Sequence, residues 1–293
     1  MFDSPSTASF TRRRFLLAGA CAGVGLALYP GEIERHRIQI THHEVFLPGL
    51  PRSFDGFRIA QLSDIHMDEY SEPFFLRAAI AHVNRLNPDA VFLTGDFITY
   101  ELLPKRYSIA PAWECAYLLN EIQCPQRYAV LGNHDVLVGR EYIVAALSAN
   151  GITALVNSYL SVDRAGGRIW LAGLDDAVEG HPDPVAAIPA SIRTGPSEPI
   201  VLMCHAPDYV DHFLTLPESK AVSLMISGHT HGGQVRLPLI GALALPVLGR
   251  KYVEGWFRFG GLQLYVNRGL GAVGVPLRFN CPPEITHMTL RCA

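Results

Sequence analysis

Beyond about residue 36 the chain is built from short apolar runs separated by polar turns and amphipathic stretches. Residues 37–47 alternate, with Ile38 and Ile40 set against Gln39 and Thr41, until Pro48, Gly49 and Pro51 stop the pattern. That is the two-residue period of a strand. Residues 57–62, 90–94, 128–131, 169–173, 200–204 and 222–227 are each short, apolar and closed by turn or polar residues, and are predicted as strands, as are 262–266 and 285–290. Residues 72–86 instead set Phe75, Ala79, Val83 and Leu86 at helical spacing, and further helices are predicted over 113–122 and 141–149. Strands alternating with helices, with no internal repeat, predict an α/β fold: a two-sheet sandwich with helices packed outside.

The N-terminus breaks this pattern. Arg12, Arg13 and Arg14 precede Phe15-Leu16-Leu17 and an apolar run over 18–29, a charged start followed by a run too short for a comfortable membrane span. The Arg-Arg-x-Phe-Leu core resembles the twin-arginine signal of bacterial export. Residues 1–35 are therefore expected to be a signal or membrane tether, and 36–293 a single catalytic domain. No clear cleavage site ends the run, and Cys21 only weakly matches a lipoprotein box. The resemblance implies the twin-arginine export machinery as a partner and a location at the periplasmic or extracytoplasmic face of the membrane. A retained anchor facing the cytoplasm is the alternative. At 293 residues, 49% apolar and 17% charged, the remainder has ample core for an ordered domain. A net charge of −3 gives no basic surface, so no nucleic-acid partner is expected. Six cysteines without a CxxC pair do not form a zinc ribbon; outside the cytoplasm, Cys115–Cys124 and Cys281–Cys292 bridges are open.

Polar clusters sit directly after the predicted strands: Asp64 and His66, Asp96, Asn133 and His134, His205, then His229 and His231. In α/β sheets the loops at the carboxyl ends of strands converge on ligand sites. Taken singly, a loop histidine, an Asp-x-His or a Gly-Asp is ordinary. Gly228-His229-Thr230-His231-Gly232-Gly233 is more specific, since it sets two imidazoles two residues apart between glycines that let the backbone turn tightly. Together the side chains form an oxygen and nitrogen donor set without thiolate, suited to Mn, Fe, Zn, Co or Ni rather than to a structural zinc.

The ordered series Asp64-Ile65-His66, Gly95-Asp96-Phe97, Gly132-Asn133-His134-Asp135, Cys204-His205-Ala206-Pro207 and Gly228-His229-Thr230-His231 resembles the calcineurin-like metallophosphoesterases over residues 57–234. The resemblance implies that family's α/β sandwich and two divalent metal ions. Asp64, His66 and His231 would hold one ion, Asn133, His205 and His229 the other, and Asp96 would bridge them. A shared carboxylate and solvent molecule offset the repulsion of dications about 3.5–4 Å apart and bring water towards a neutral pKa. The implied reaction is hydrolysis of a phosphate mono- or diester, or a pyrophosphate, by a hydroxide bridging the two metals. His134 would face substrate as donor or acid. Asp135 would either orient that ring or cap the loop backbone.

Purple acid phosphatases carry a tyrosine ligand three residues after the bridging aspartate; that position here is Thr99, and Tyr100 is read as structural. The arginine-rich start, the block over 228–234 and the stretches Gly249-Arg250-Lys251-Tyr252 and Asn267-Arg268-Gly269 resemble a small exported or membrane-associated bacterial branch. Arg268 is a candidate phosphate contact, Asp175-Asp176 reads as a turn, and His42, His43, His82, His181, His212 and His287 are expected to be non-ligands. Residues 237–248 are uncharged and rich in Pro and Gly, and with 270–277 they read as loops or a hairpin beside the metals. They either complete the core or form an apolar rim for a membrane surface or an acyl-bearing phosphate. The substrate is accordingly a phosphorylated small molecule or lipid; the alternative to a broad phosphoesterase is a membrane-associated pyrophosphatase acting on a lipid-linked or nucleotide-sugar-lipid substrate. A non-catalytic binding module is the competing class, and the presence of all seven ligands and His134 argues against it.

Overall fold

The computed structural model describes residues 28–67, 72–100, 105–194 and 198–293, together with Gly25. Arg12, Arg13, Arg14 and Cys21, and hence the signal reading, lie outside the described residues. Two six-stranded sheets face each other. The first has the order β1 (Gln39–Leu47), β14 (Glu284–Cys292), β2 (Arg58–Leu62), β3 (Ala90–Leu93), β4 (Arg127–Ala129) and β5 (Thr153–Ala154). It is parallel except between β14 and β2. The second has the order β12 (Gly255–Phe259), β13 (Leu262–Val266), β9 (Val222–Ser227), β8 (Ile200–Met203), β7 (Gly167–Gly173) and β6 (Ser158–Arg164). Its central strands are parallel and its two edge strands antiparallel.

The central strands β3 and β8 are apolar throughout because both of their faces are covered. Along β2 and β3, Ile59 and Phe92 point between the sheets, while Ala60, Val91 and Leu93 point to the helices α1 (Pro73–Leu86), α2 (Lys105–Leu119) and α3 (Asn133–Ala149). In the second sheet Leu171, Val201, Met203 and Ile226 join the same inner core, and Ala172, Leu202 and Met225 pack outwards against Ile188 and Phe213. In α1, Pro73 opens the helix, Phe75, Leu76, Ala79, Ile80 and Val83 are buried, and Asn87 in the left-handed conformation ends it.

The predicted sandwich is the observed one. The edge strands β6 and β12 were missed, because each is half-exposed and interrupted by polar residues. Helix α2 starts earlier than the apolar spacing of 113–122 suggests and runs through Pro111. Helix α3 starts at Asn133 rather than 141 and kinks at Gly139, so Asn133, His134 and Asp135 form a helical first turn instead of a loop. Neither open disulfide forms: Cys115, Cys124, Cys281 and Cys292 are free thiols.

Candidate metal centre

The carboxyl ends of β2, β3, β4, β8 and β9 lie along one edge of the sandwich, and the residues following them converge. Three overlapping groups of side chains, Asp64 with His66 and His231, Asp96 with His205 and His229, and Asp96 with His66 and His134, each bring one ligand atom per residue within 4.8 Å of the others. Asp96 lies between the first two, with Oδ2 3.6 Å from His66 Nε2 and 3.1 Å from His205 Nε2. The backbone is bent to achieve this: φ is 51° at Asp64, 49° at His66, 55° at Asp96, 73° at His229 and 52° at His231. For residues with a Cβ the left-handed region costs roughly 1–2 kcal/mol each, and such strain concentrates at functional sites.

Most of the imidazoles are locked by their far nitrogen. His205 Nδ1–H donates to the Thr94 carbonyl at 2.6 Å, which leaves Nε2 as the free lone pair. His66 Nδ1 meets Thr99 Oγ1 at 3.0 Å. His229 is reversed: Nε2–H donates to the Val247 carbonyl at 2.7 Å, and Nδ1 faces His205 Nε2 at 3.2 Å. His66 and His231 bring their Nε2 atoms to 3.0 Å from each other. Backbone donors hold the carboxylates: His229 N–H on Asp64 at 2.9 Å and His134 N–H on Asp96 Oδ1 at 3.0 Å.

The residues fit a pair of cations. Asn133 Oδ1 is buried without a hydrogen-bond partner, an orphaned acceptor where the metal reading requires an oxygen ligand. Burial, reinforced by His231, holds His66 well below the usual histidine range, and burial with the Arg278 charge does the same to His231. Burial and His205 lower His229. Burial would raise the Asp96 carboxyl, but His205, His134 and His66 hold it well below the carboxylate range; burial would lower His205, but Asp96 raises it well above the histidine range. Neutral His66, His229 and His231 beside an ionised Asp96 match the protonation state that metal binding requires, and a cation between Asp96 and His205 would take the place of the proton that pair shares.

His134 stands beside this group, its ring 4.9 Å from that of His66. The backbone N–H of Tyr100 donates to its Nδ1 at 2.8 Å, so the ring proton sits on Nε2. Of the two roles open to Asp135, orienting that ring or capping the loop backbone, the structure shows the backbone cap. Its buried carboxylate accepts the backbone N–H groups of Asp96 (2.8 Å), Phe97 (3.0 Å) and Gly132 (2.9 Å). Burial and the neighbouring Asp96 push its pKa up to about 8. The phosphate contact read for Arg268 is corrected. Its Nε donates to Glu284 at 3.1 Å and its Nη2 to Gln39 Oε1 at 3.1 Å, so the guanidinium is already paired, and it does not line the cavity at the site. The Asp175 carboxylate pairs with Arg140 at 2.5 Å, and Asp176 accepts the backbone N–H groups of Val178 and Glu179, as a turn does.

Sequence reasoning passed over Arg278. It is fully buried, donates to the carbonyls of Gly271, Arg268 and Cys281, and sets Nη2 3.4 Å from His231 Nδ1. The available signal was one arginine inside an apolar stretch, which must either reach solvent or find a carbonyl cage. The glycines were read only as turn formers. A Cβ on Gly228 would lie 2.3 Å from Asp64 Oδ2, and one on Gly269 would lie 2.6 Å from Asp64 Cβ.

A cavity of about 440 Å³ opens onto the site. Asp96, Asn133, His134, His229 and His231 give it a polar lining, and Val235, Leu243, Leu245, Pro246, Val273 and Val275 an apolar one. These apolar residues flank the hairpin of β10 (Arg236–Leu237) and β11 (Gly241–Ala242), Val235 before it and Leu243, Leu245 and Pro246 after it, while Val273 and Val275 come from the stretch after β13.

Residues 57–233 match the family model of the calcineurin-like phosphoesterases. The metallophosphoesterase YkuE of Bacillus subtilis, itself uncharacterized, is 35% identical over 96% of this chain and 98% of its own length. The phosphodiesterase YaeI of Escherichia coli is 30% identical over 96% and 99%. The UDP-2,3-diacylglucosamine pyrophosphatase LpxG of Chlamydia trachomatis is 25% identical over 90% and 92%. A dimetal phosphatase from Danio rerio has the same fold, with a TM-score of 0.51 at 13% identity over 74% of this chain and 88% of that one. With its ordered aspartate, asparagine and histidine loops at one edge of a two-sheet sandwich, the chain belongs to the calcineurin-like phosphoesterases, hydrolases of phosphoester bonds.

Proposed function

We propose that the protein is a two-metal hydrolase of a phosphodiester or pyrophosphate carried on an apolar group. The observation that supports this is the cavity, where the ligand residues and a wall of aliphatic side chains line the same space. Asp64, His66 and His231 would hold one divalent ion, Asn133, His205 and His229 the second, with Asp96 shared. Divalent ions there supply Lewis acidity towards water and phosphoryl oxygen. His134 has its own part: with Nδ1 accepting from Tyr100 N–H, its Nε2–H is directed as a donor to the phosphoryl or leaving oxygen. The aliphatic lining accepts the substrate's apolar part.

A pyrophosphate on a lipid or nucleotide-sugar lipid is the second reading, favoured by the same wall and by the likeness to LpxG over 90% of this chain. The test is a panel with Mn, Zn, Fe, Co or Ni: a soluble aryl diester, an aryl monoester, and diesters and pyrophosphates of increasing acyl length. Burying each methylene is worth about 0.8 kcal/mol, so kcat/KM rises up to about fourfold per carbon until the wall is filled. Asp96→Asn is expected to abolish turnover across the panel. A kcat/KM independent of acyl length would overturn the apolar-substrate reading, and turnover unaffected by metal removal would overturn the metal reading.

A further inference from the structure

The exposed aliphatic side chains are not scattered. Among the described residues, every one except Val185 lies on three segments: Leu28 and Ile33 where the fold begins, Leu239, Ile240, Leu243 and Val247 on the hairpin, and Val275 and Leu277 after it. Leu239 is fully exposed and Ile240 is 71% exposed at the hairpin tip. A soluble surface carries single apolar residues at random; a contiguous set marks an interaction site.

The three segments are tied together. Gln234 Nε2 donates to the carbonyls of Val273 (3.1 Å) and Val275 (3.0 Å), and Arg236 N–H donates to Phe279 at 2.9 Å. Arg278 N–H donates to the Pro30 carbonyl at 3.1 Å, and a Cβ on Gly31 would lie 3.3 Å from Leu277 Cδ2. Buried Glu34 accepts the Cys281 N–H at 2.8 Å. The start of the fold is therefore held against the segment that forms the cavity's apolar wall.

We infer that this face is a membrane-docking surface, which sets the mouth of the metal cavity against a lipid bilayer. The chain that precedes the fold points to lipid as the occupant. Residues 15–31 carry no charge and follow Arg12, Arg13 and Arg14, and they join the described structure at Leu28, on this face. Such a segment suits the boundary between lipid headgroups and acyl chains. Charge on the face itself is also suited to lipid. Over 235–249 the one charge is Arg236, paired with Glu254, over 269–279 it is Arg278, fully buried, and over 28–33 it is Glu32, exposed; Arg250, also exposed, follows the hairpin segment. No helix among the described residues is long and apolar enough to cross a membrane. Leu243 and Val275 belong both to the exposed face and to the cavity lining, so an acyl chain can pass from lipid to cavity without crossing water.

Docking bears on the acyl-phosphate reading, since it delivers that substrate, but it is measured without turnover, and the two fail separately. The probe is the full chain with Ile240→Cys carrying an environment-sensitive fluorophore, mixed with vesicles of equal parts phosphatidylcholine and phosphatidylglycerol. Val185→Cys, exposed but outside the three segments, is the control. The emission at position 240 is expected to shift to the blue and to be quenched by nitroxide lipids, while position 185 stays unchanged. A fluorophore at 240 that remains in water while the protein sediments with vesicles would overturn the proposal. So would a blue shift that needs no vesicles and grows with protein concentration, which would assign the face to a second copy of the chain. Replacing Leu239 and Ile240 together by Ser is expected to weaken vesicle binding by about tenfold or more and to leave turnover of a soluble aryl diester unchanged. Equal loss of soluble turnover would also count against it.

Discussion

Gly132→Ala isolates the packing demand at the metal centre. The backbone at Gly132, with φ −102° and ψ −180°, suits alanine as well as glycine, so no conformational penalty arises. The obstacle is steric. A Cβ there would lie 2.2 Å from Asp96 Oδ1 and 2.7 Å from both Asp96 Cγ and Asp96 N, inside the 3.0 Å that Cβ atoms do not breach. Asp96 is 2% exposed and has nowhere to retreat. Relief requires its carboxylate to rotate away from the His134 N–H, losing a hydrogen bond to a charged group worth about 1.5–3 kcal/mol. Overpacking a closed site adds roughly 1–3 kcal/mol. If about 3–4 kcal/mol falls on the shared carboxylate, metal affinity at both positions drops on the order of 10²- to 10³-fold. Metal titration by calorimetry and metal-dependent diester turnover read this directly. Gly261→Ala, where nothing lies within 4 Å of the added Cβ, is the control and is expected to change stability by no more than about 0.5 kcal/mol. Wild-type metal affinity and turnover in Gly132→Ala would refute the view that this glycine serves the Asp96 carboxylate.

Two further outcomes separate roles at the site. His134→Ala is expected to keep both metals and to lose about 10²–10⁴-fold in kcat, the scale of one donor acting on the reacting oxygens; metal analysis after dialysis checks this, and an emptied position would make His134 a ligand. Thr99→Val removes the hydroxyl on His66 Nδ1 and is expected to weaken metal binding about 10–100-fold at the Asp64 group, with the fold retained by circular dichroism. Unaltered affinity would show that the His66 ring is held by packing alone.

What the sequence determined by itself was the kind of chemistry and the layout that carries it. Apolar runs without a polar face could only be strands covered on both sides, and the donors directly after them had to gather at one edge of the sheets. The order of those donors was enough to recognise the family. Periodicity reports burial and local turns, however, and it is silent on which loops meet. His229 N–H reaches Asp64 across 165 residues, and the Asp135 carboxylate reaches the amides of Asp96 and Phe97 from the next strand's loop. Asp135 and His134 are adjacent in sequence, yet only the start of α3 at Asn133 turns one towards the backbone and the other towards the cavity. The same limit explains the two arginines. Arg268 follows a strand and looks free to bind phosphate, but Glu284, 16 residues on, takes its Nε. Arg278 sits in an apolar stretch and looks incidental, but the folded loop surrounds it with carbonyls beside His231. Glycines 132, 228 and 269 look like turns in a sequence because a missing Cβ has no local signature there. Their purpose arises only when a carboxylate from another strand is packed against them.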